Sequence, residues 1–205
     1  MKSLRLLVLS LMLSLGGCAA GPGIPDTVYF RLPPRVVPPA TRTEPLLQRP
    51  IVVETLLADG LHSDQALIYS LDPDGARLKA YHYQLWVDPP VRMLQRRLIG
   101  ALRDARLSDV VADSLPNQVE ALRIEGRLER FERIRLSENE WKVVAMLSLR
   151  ADLHNGKPPL LLREYVQEAP AAGPSVRDSV DALAVAVDRI HADFLRDLEA
   201  AVDRG

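Results

Sequence analysis

One cysteine, Cys18, is all that 205 residues supply, which excludes an internal disulfide and leaves packing as the source of stability. An excess of one charge is missing too. With 26 basic residues against 27 acidic ones the formal net charge is -1, so no global field draws nucleic acid to the chain. No G-x-S-x-G is present, and hence no nucleophile elbow for serine hydrolysis. A Walker loop and a G-x-G-x-x-G are absent as well, so any nucleotide-driven work falls to a partner. His62, His82, His154 and His191 have no ligand type at i+3 or i+4, which leaves them as surface or structural residues rather than a zinc set. The apolar run over residues 6–15 is well short of the about 20 residues that span a bilayer.

What the chain does have is a globular composition, 47% hydrophobic and 26% charged, too apolar for a disordered protein. Its first residues read as a secretory signal. Lys2 and Arg5 form a positive n-region and residues 6–15 an apolar h-region. Leu15-Gly16-Gly17-Cys18 then resembles a bacterial lipobox, in which a signal peptide, here residues 1–17, is cut before a cysteine carrying a diacylglycerol thioether. Acylation would remove the reactive liability of a lone exported thiol. The other reading is an ordinary signal peptide with an incidental cysteine. Ala19 follows Cys18 where an aspartate is the usual signal for retention in the inner membrane of Gram-negative cells, so the outer membrane is expected.

Residues 18–49 are crowded with proline, which fixes φ, removes a donor and favours extended backbone. They read as a tether with one interruption. Thr27-Val28-Tyr29-Phe30-Arg31-Leu32 has strand character and is expected either to dock as an edge strand or to remain exposed. A single domain is expected over residues 50–205, its first strand covered on two sides from Ile51. Two more strands flank the turn Asp72-Pro73-Asp74-Gly75, and the apolar phase slips near Ala80, where a β-bulge is expected.

Trp86-Val87-Asp88-Pro89-Pro90 takes a strand into a helix, with Pro90 in its first turn. Val91, Leu94, Leu98, Ala101, Leu102 and Ala105 share one face of that helix. Arg92, Arg96, Arg97 and Arg103 lie largely opposite, as a solvated face or one for an acidic partner or lipid headgroup. Strands are expected at 110–112, 121–134 (with a bend at Gly126), 143–153 and 159–167, forming an antiparallel meander. Ser175 and Asp178 make a capping box. Beyond it Val176, Val180, Leu183, Val187, Ile190, Phe194, Leu198 and Ala201 form an apolar stripe, to pack on a core or to serve as a coiled-coil seam. The predicted fold is α+β: a mostly antiparallel sheet with two main amphipathic helices packed on one face.

Tyr81, Tyr83 and Trp86 at strand spacing read as core, with a lipid-binding surface as the other reading. Together with the lipobox and Val28-Tyr29-Phe30-Arg31-Leu32, the run from Tyr81 through Trp86, Pro89 and Pro90 to Leu94 resembles the PqiC-like auxiliary lipoproteins of ABC-type transport systems. The late run from Leu147 to Leu153 is similar too. Where a tyrosine pair is common in that family, this chain has Tyr29-Phe30. The resemblance implies an outer-membrane lipoprotein facing the periplasm and working with an MCE-domain protein and an inner-membrane ABC transporter in moving lipid. It implies no catalytic residue, no cofactor and no enzyme, and a homo-oligomer is compatible with it. A lipoprotein activator or scaffold for a cell-wall enzyme is the second reading, and a carrier holding lipid in its own cavity is a third.

Overall fold

The computed structural model describes residues 23, 25–36, 42–116, 118–153 and 156–204. The lipobox and Cys18 lie outside them, as does His154.

The spine of the molecule is a long hairpin, β7 (Leu122–Arg135) against β8 (Trp141–Asp152). Alternation makes β8: Val143, Ala145, Leu147, Leu149 and Ala151 are all fully buried, as period-2 apolar side chains on one face of a strand require. β9 (Leu161–Pro170) continues the meander antiparallel to β8. Along its other side β7 accepts three short strands in turn, all parallel to it. These are β2 (Ile51–Val53), β3 (Leu57–Ala58) and β4 (Ala66–Ser70). β5 (Leu78–Trp86) returns from β4 through the turn at Gly75, whose φ of 72° suits glycine. β1 (Val28–Phe30) lies parallel to β5 at one sheet edge, and β6 (Val111–Ala112) lies parallel to β2.

The sheet is mostly antiparallel by paired length, as expected, and mixed rather than purely so. Its long ladders are antiparallel hairpins, but the path from β5 to β6 and β7 passes through a helix. Since β5 is antiparallel to β4, and β6 and β7 run with β4, the chain leaves that helix opposite in direction to β5. The parallel pairings lie between β7 and the earlier strands β2, β3 and β4, between β2 and β6, and between β1 and β5. That helix is α1 (Pro90–Asp104), and the second, α2 (Val176–Val202), closes the chain. α2 begins at the capping box: Asp178 N–H donates to Ser175 Oγ at 3.1 Å, and Ser175 N–H to the Asp178 carboxylate at 3.1 Å. Both helices bury their apolar stripes in one core with the sheet. Leu94, Leu98 and Leu102 meet Val180, Val187, Ile190, Phe194 and Leu198 there, so the closing stripe is core and not an open seam.

Two irregularities set the register. Ala66 faces Leu85 while Ile68 faces Ala80, so β5 holds extra residues just past Ala80, where the phase slip was expected. β7 slips between Leu128 and Arg130, which brings Phe131 onto the buried face. Gly126 is not a bend. It pairs in regular register with Leu149, and a Cβ there would come within 2.7 Å of the Leu149 side chain and 2.8 Å of the Ser148 carbonyl oxygen.

The proline-rich lead is held against the body over its described parts. Phe30, Leu32, Leu46 and Leu47 pack on the core, and Leu47 N–H donates to the Leu107 carbonyl at 2.8 Å. These described residues of the lead are therefore part of the packed body, because the apolar side chains between the prolines are worth burying.

Candidate functional site

The two sequence pieces that carried the resemblance are neighbours in space. Val28, Tyr29 and Phe30 of β1 stand opposite Gln84, Leu85 and Trp86 of β5. Val87 N–H donates to the Phe30 carbonyl at 2.9 Å, and Trp86 N–H to the Gln65 carbonyl at 2.7 Å. The chain is pinned on both sides just where it must turn. Pro89, with φ -51° and ψ 136°, is the N-cap, and Pro90 is the first helical residue, a position where the missing N–H costs nothing.

Trp86 is 1% exposed, with its ring centroid 5.3 Å from that of Phe131, and Leu94 is fully buried one helical turn into α1. Tyr81 is half-buried and stacked on Tyr69 at 4.2 Å. Burial raises its pKa. Tyr83 and Tyr29 do not join the core: they are 40% and 59% exposed. The β5 bulge and the edge position of β1 leave them outside.

Between the lead and the start of α1 runs a groove of about 580 Å³, floored by Leu32, Val87 and Met93 and rimmed by arginines. The expected solvated arginine face is divided. Arg96 pairs with Asp88 at the rim, and Arg92 is exposed. Arg97, with only 8% of its side chain exposed, instead crosses to α2. Its Nε and Nη2 each donate to Asp188 at 2.7 Å, and its Nη1 to the Pro33 carbonyl at 2.7 Å. Arg35 on the lead donates to Asp104 at 2.9 Å and stands 3.8 Å from Asp188. One wall of the groove is thus clasped to both helices by charge-assisted bonds, the strong class. Of the rim arginines, Arg31 has no acidic partner among the described residues. The groove is lined by apolar side chains, prolines, arginines and Asp88.

Of the residues that matter here, Arg97 reads from sequence as part of a solvated face, and Gln95 was not singled out from sequence. Arg97 is three residues after Leu94 and four before Ala101, on the apolar face of the helix, and that spacing was the available signal. Gln95, also buried, donates to the Val53 carbonyl at 2.8 Å and ties α1 to β2. A buried polar cluster sits elsewhere: Glu132 is held by Arg130 at 2.7 Å and by His62 at 2.9 Å. Burial alone would raise the Glu132 pKa, but these hydrogen bonds outweigh it and hold the carboxyl below its usual value.

His191 lies in the α2 stripe, 2% exposed, with neither ring nitrogen hydrogen-bonded among the described residues. Burial, with Arg97 and Arg35 adding repulsion, pushes its pKa down to about 3 from 6.5. The unfolded chain therefore binds a proton that the folded chain refuses. Stability is full above pH 6.5 and falls as pH drops towards 3, by roughly 2 kcal/mol at about pH 5. Urea titrations at neutral pH and near pH 5 should show this loss, and His191→Leu should flatten it. An equally steep profile in that variant would assign the loss to other groups.

Among the described residues no group of His, Cys, Asp or Glu is placed to hold a metal, and no helix is long and apolar enough to cross a membrane. No curated protein matches the chain. Solved structures do. A DUF330 protein from Xanthomonas campestris is similar with a TM-score of 0.72 at 14% identity, over 86% of this chain and 98% of its own. An uncharacterized protein follows with a TM-score of 0.64 at 17% identity, over 84% of this chain and 98% of that one. A hypothetical protein from Chlamydia trachomatis has a TM-score of 0.50 at 10% identity, over 77% of this chain and 99% of that one. At such identities the likeness is one of fold. The family model described as ABC-type transport auxiliary lipoprotein component matches residues 30–194, from the last residue of β1 into α2. The chain belongs to the family of ABC-type transport auxiliary lipoprotein components.

Proposed function

We propose that this protein is an outer-membrane lipoprotein, acylated on Cys18 after removal of residues 1–17, that serves as a non-catalytic auxiliary component of an MCE and ABC-type system moving lipid across the periplasm. The observation that carries this reading is the family match, which runs from Phe30 at the end of β1 through the Trp86–Pro90 corner and α1 into α2. The groove on that corner supports a docking role, because it offers an apolar floor and an arginine rim. The anchor supplies the rest. A membrane-bound adaptor meets a membrane-bound partner at an effective concentration near millimolar for a short linker, so a weak groove contact suffices.

The test is crosslinking in native membranes followed by purification and identification of partners. An MCE-domain protein should be recovered with the wild type. It should be lost with Cys18→Ala, which should also abolish acyl labelling and release the protein from membranes. Arg31→Glu with Arg96→Glu should weaken recovery while leaving the anchor in place. Recovery of a cell-wall synthase with no MCE protein would decide for a scaffold of cell-wall enzymes instead.

A further inference from the structure

The anchor and the fold together fix which part of the domain lies nearest the lipid. Only seven residue steps separate Cys18 from Pro25, the start of the continuously described lead. A fully extended chain covers at most about 25 Å in that span. Whatever conformation it takes, β1 begins three residues later and is held close to the membrane to which Cys18 is attached.

The surface at that point is unusual for one facing water. Val28 is 48% exposed, Tyr29 59% and Tyr83 40%, and all three lie on the β1–β5 edge of the sheet. Val28 and Tyr83 line one aromatic trough of about 320 Å³, with Tyr69 and Tyr81 behind them. Tyr29 occupies the alternate position on β1, so apolar surface flanks the edge on both faces. Arg31, exposed and without an acidic partner among the described residues, follows directly. Tyrosine rings joined to a cation are the residue types of a bilayer interface, where the ring sits at headgroup depth and the guanidinium meets phosphate.

We infer that the β1–β5 edge, through Val28, Tyr29, Tyr83 and Arg31, is a second, non-covalent membrane contact that sets the tilt of the domain on the phospholipid surface. This rests on acylation of Cys18. The lipid tail alone fixes a distance and leaves the body free to rotate. With the edge seated as well, β9 at the far side of the sheet points away from the membrane, about 24 Å across the intervening strands.

The lone thiol makes the test direct, since acylation consumes Cys18 and leaves any engineered cysteine as the single labelling site. Tyr29→Cys and Leu162→Cys, the latter 67% exposed on β9, are each labelled with a fluorophore in the mature acylated protein. Both are placed in vesicles of phosphatidylethanolamine and phosphatidylglycerol carrying a headgroup nitroxide. The label at 29 should be quenched several-fold more than the label at 162, and Tyr83→Ser with Arg31→Ser should bring the two towards equality. Equal quenching in the unaltered background overturns the contact. So does shielding of the residue 29 thiol in detergent without a bilayer, which would mean that protein covers this edge. Acylation is read by mass on the same samples, so a failed anchor, which removes the reach argument, is told apart from a failed edge.

Discussion

Alanine in place of Trp86 should lower the unfolding free energy by about 3–5 kcal/mol, seen as a fall in the urea midpoint with an unchanged slope. Trp86 is 1% exposed and packs on Phe131. Its backbone is also where three segments meet: its own N–H reaches Gln65, and the next N–H reaches Phe30. Removing the indole leaves a cavity beneath the corner that Pro89 and Pro90 stiffen, and stiff backbone collapses poorly into a void. The cost should therefore fall in the upper part of the range for large core deletions. Leu94→Ala, one turn into α1, removes less volume and should cost about 2–5 kcal/mol. A Trp86→Ala midpoint within error of wild type would mean that the corner is held by its hydrogen bonds alone.

How much of this was legible depends on how local the determining contacts are. The alternation of β8, the capping box at Ser175 and the Pro89-Pro90 helix start are written within a few residues each, and the structure places all three as read. The phase slip near Ala80 was legible for the same reason. The parallel pairings were not, because strands of two or three residues at Ile51, Leu57 and Val111 leave no periodicity to distinguish parallel from antiparallel partners. The slip in β7 between Leu128 and Arg130 was hidden within a run of alternating charges. It turns Arg133 onto the covered face, where the guanidinium stacks 3.7 Å from the Trp141 ring centroid and donates to the Pro174 carbonyl. The groove was legible only as its corner. Its arginine clasp joins residues 91 apart in sequence, and a single sequence carries no record of such a pairing.

That clasp carries the second large effect. Asp188→Asn keeps the shape of the side chain and removes its charge, leaving Arg97 with the Pro33 carbonyl and Arg35 with Asp104. Breaking a buried pair by removing one partner costs about 3–5 kcal/mol. Asp188 keeps 34% of its side chain in water while Arg97 keeps 8%, so partial solvation should reduce the loss to about 2–4 kcal/mol. The penalty comes from the buried guanidinium left without an anion. Arg97→Met combined with Asp188→Leu should accordingly cost less than the sum of the single changes, since neither charge is then stranded. The lead should respond locally as well. Pro33 and Arg35 tie residues 31–36 of the lead to the helices, so the Asp188→Asn protein should become more open to trypsin after Arg31 and Arg35 under conditions where the wild type resists. Loosening the lead opens one wall of the groove, and crosslinking to a partner through that groove should weaken in parallel with the new cleavage. If stability and cleavage both stay at wild-type levels, the lead is held by its apolar contacts at Phe30 and Leu32, and the clasp is dispensable to the groove.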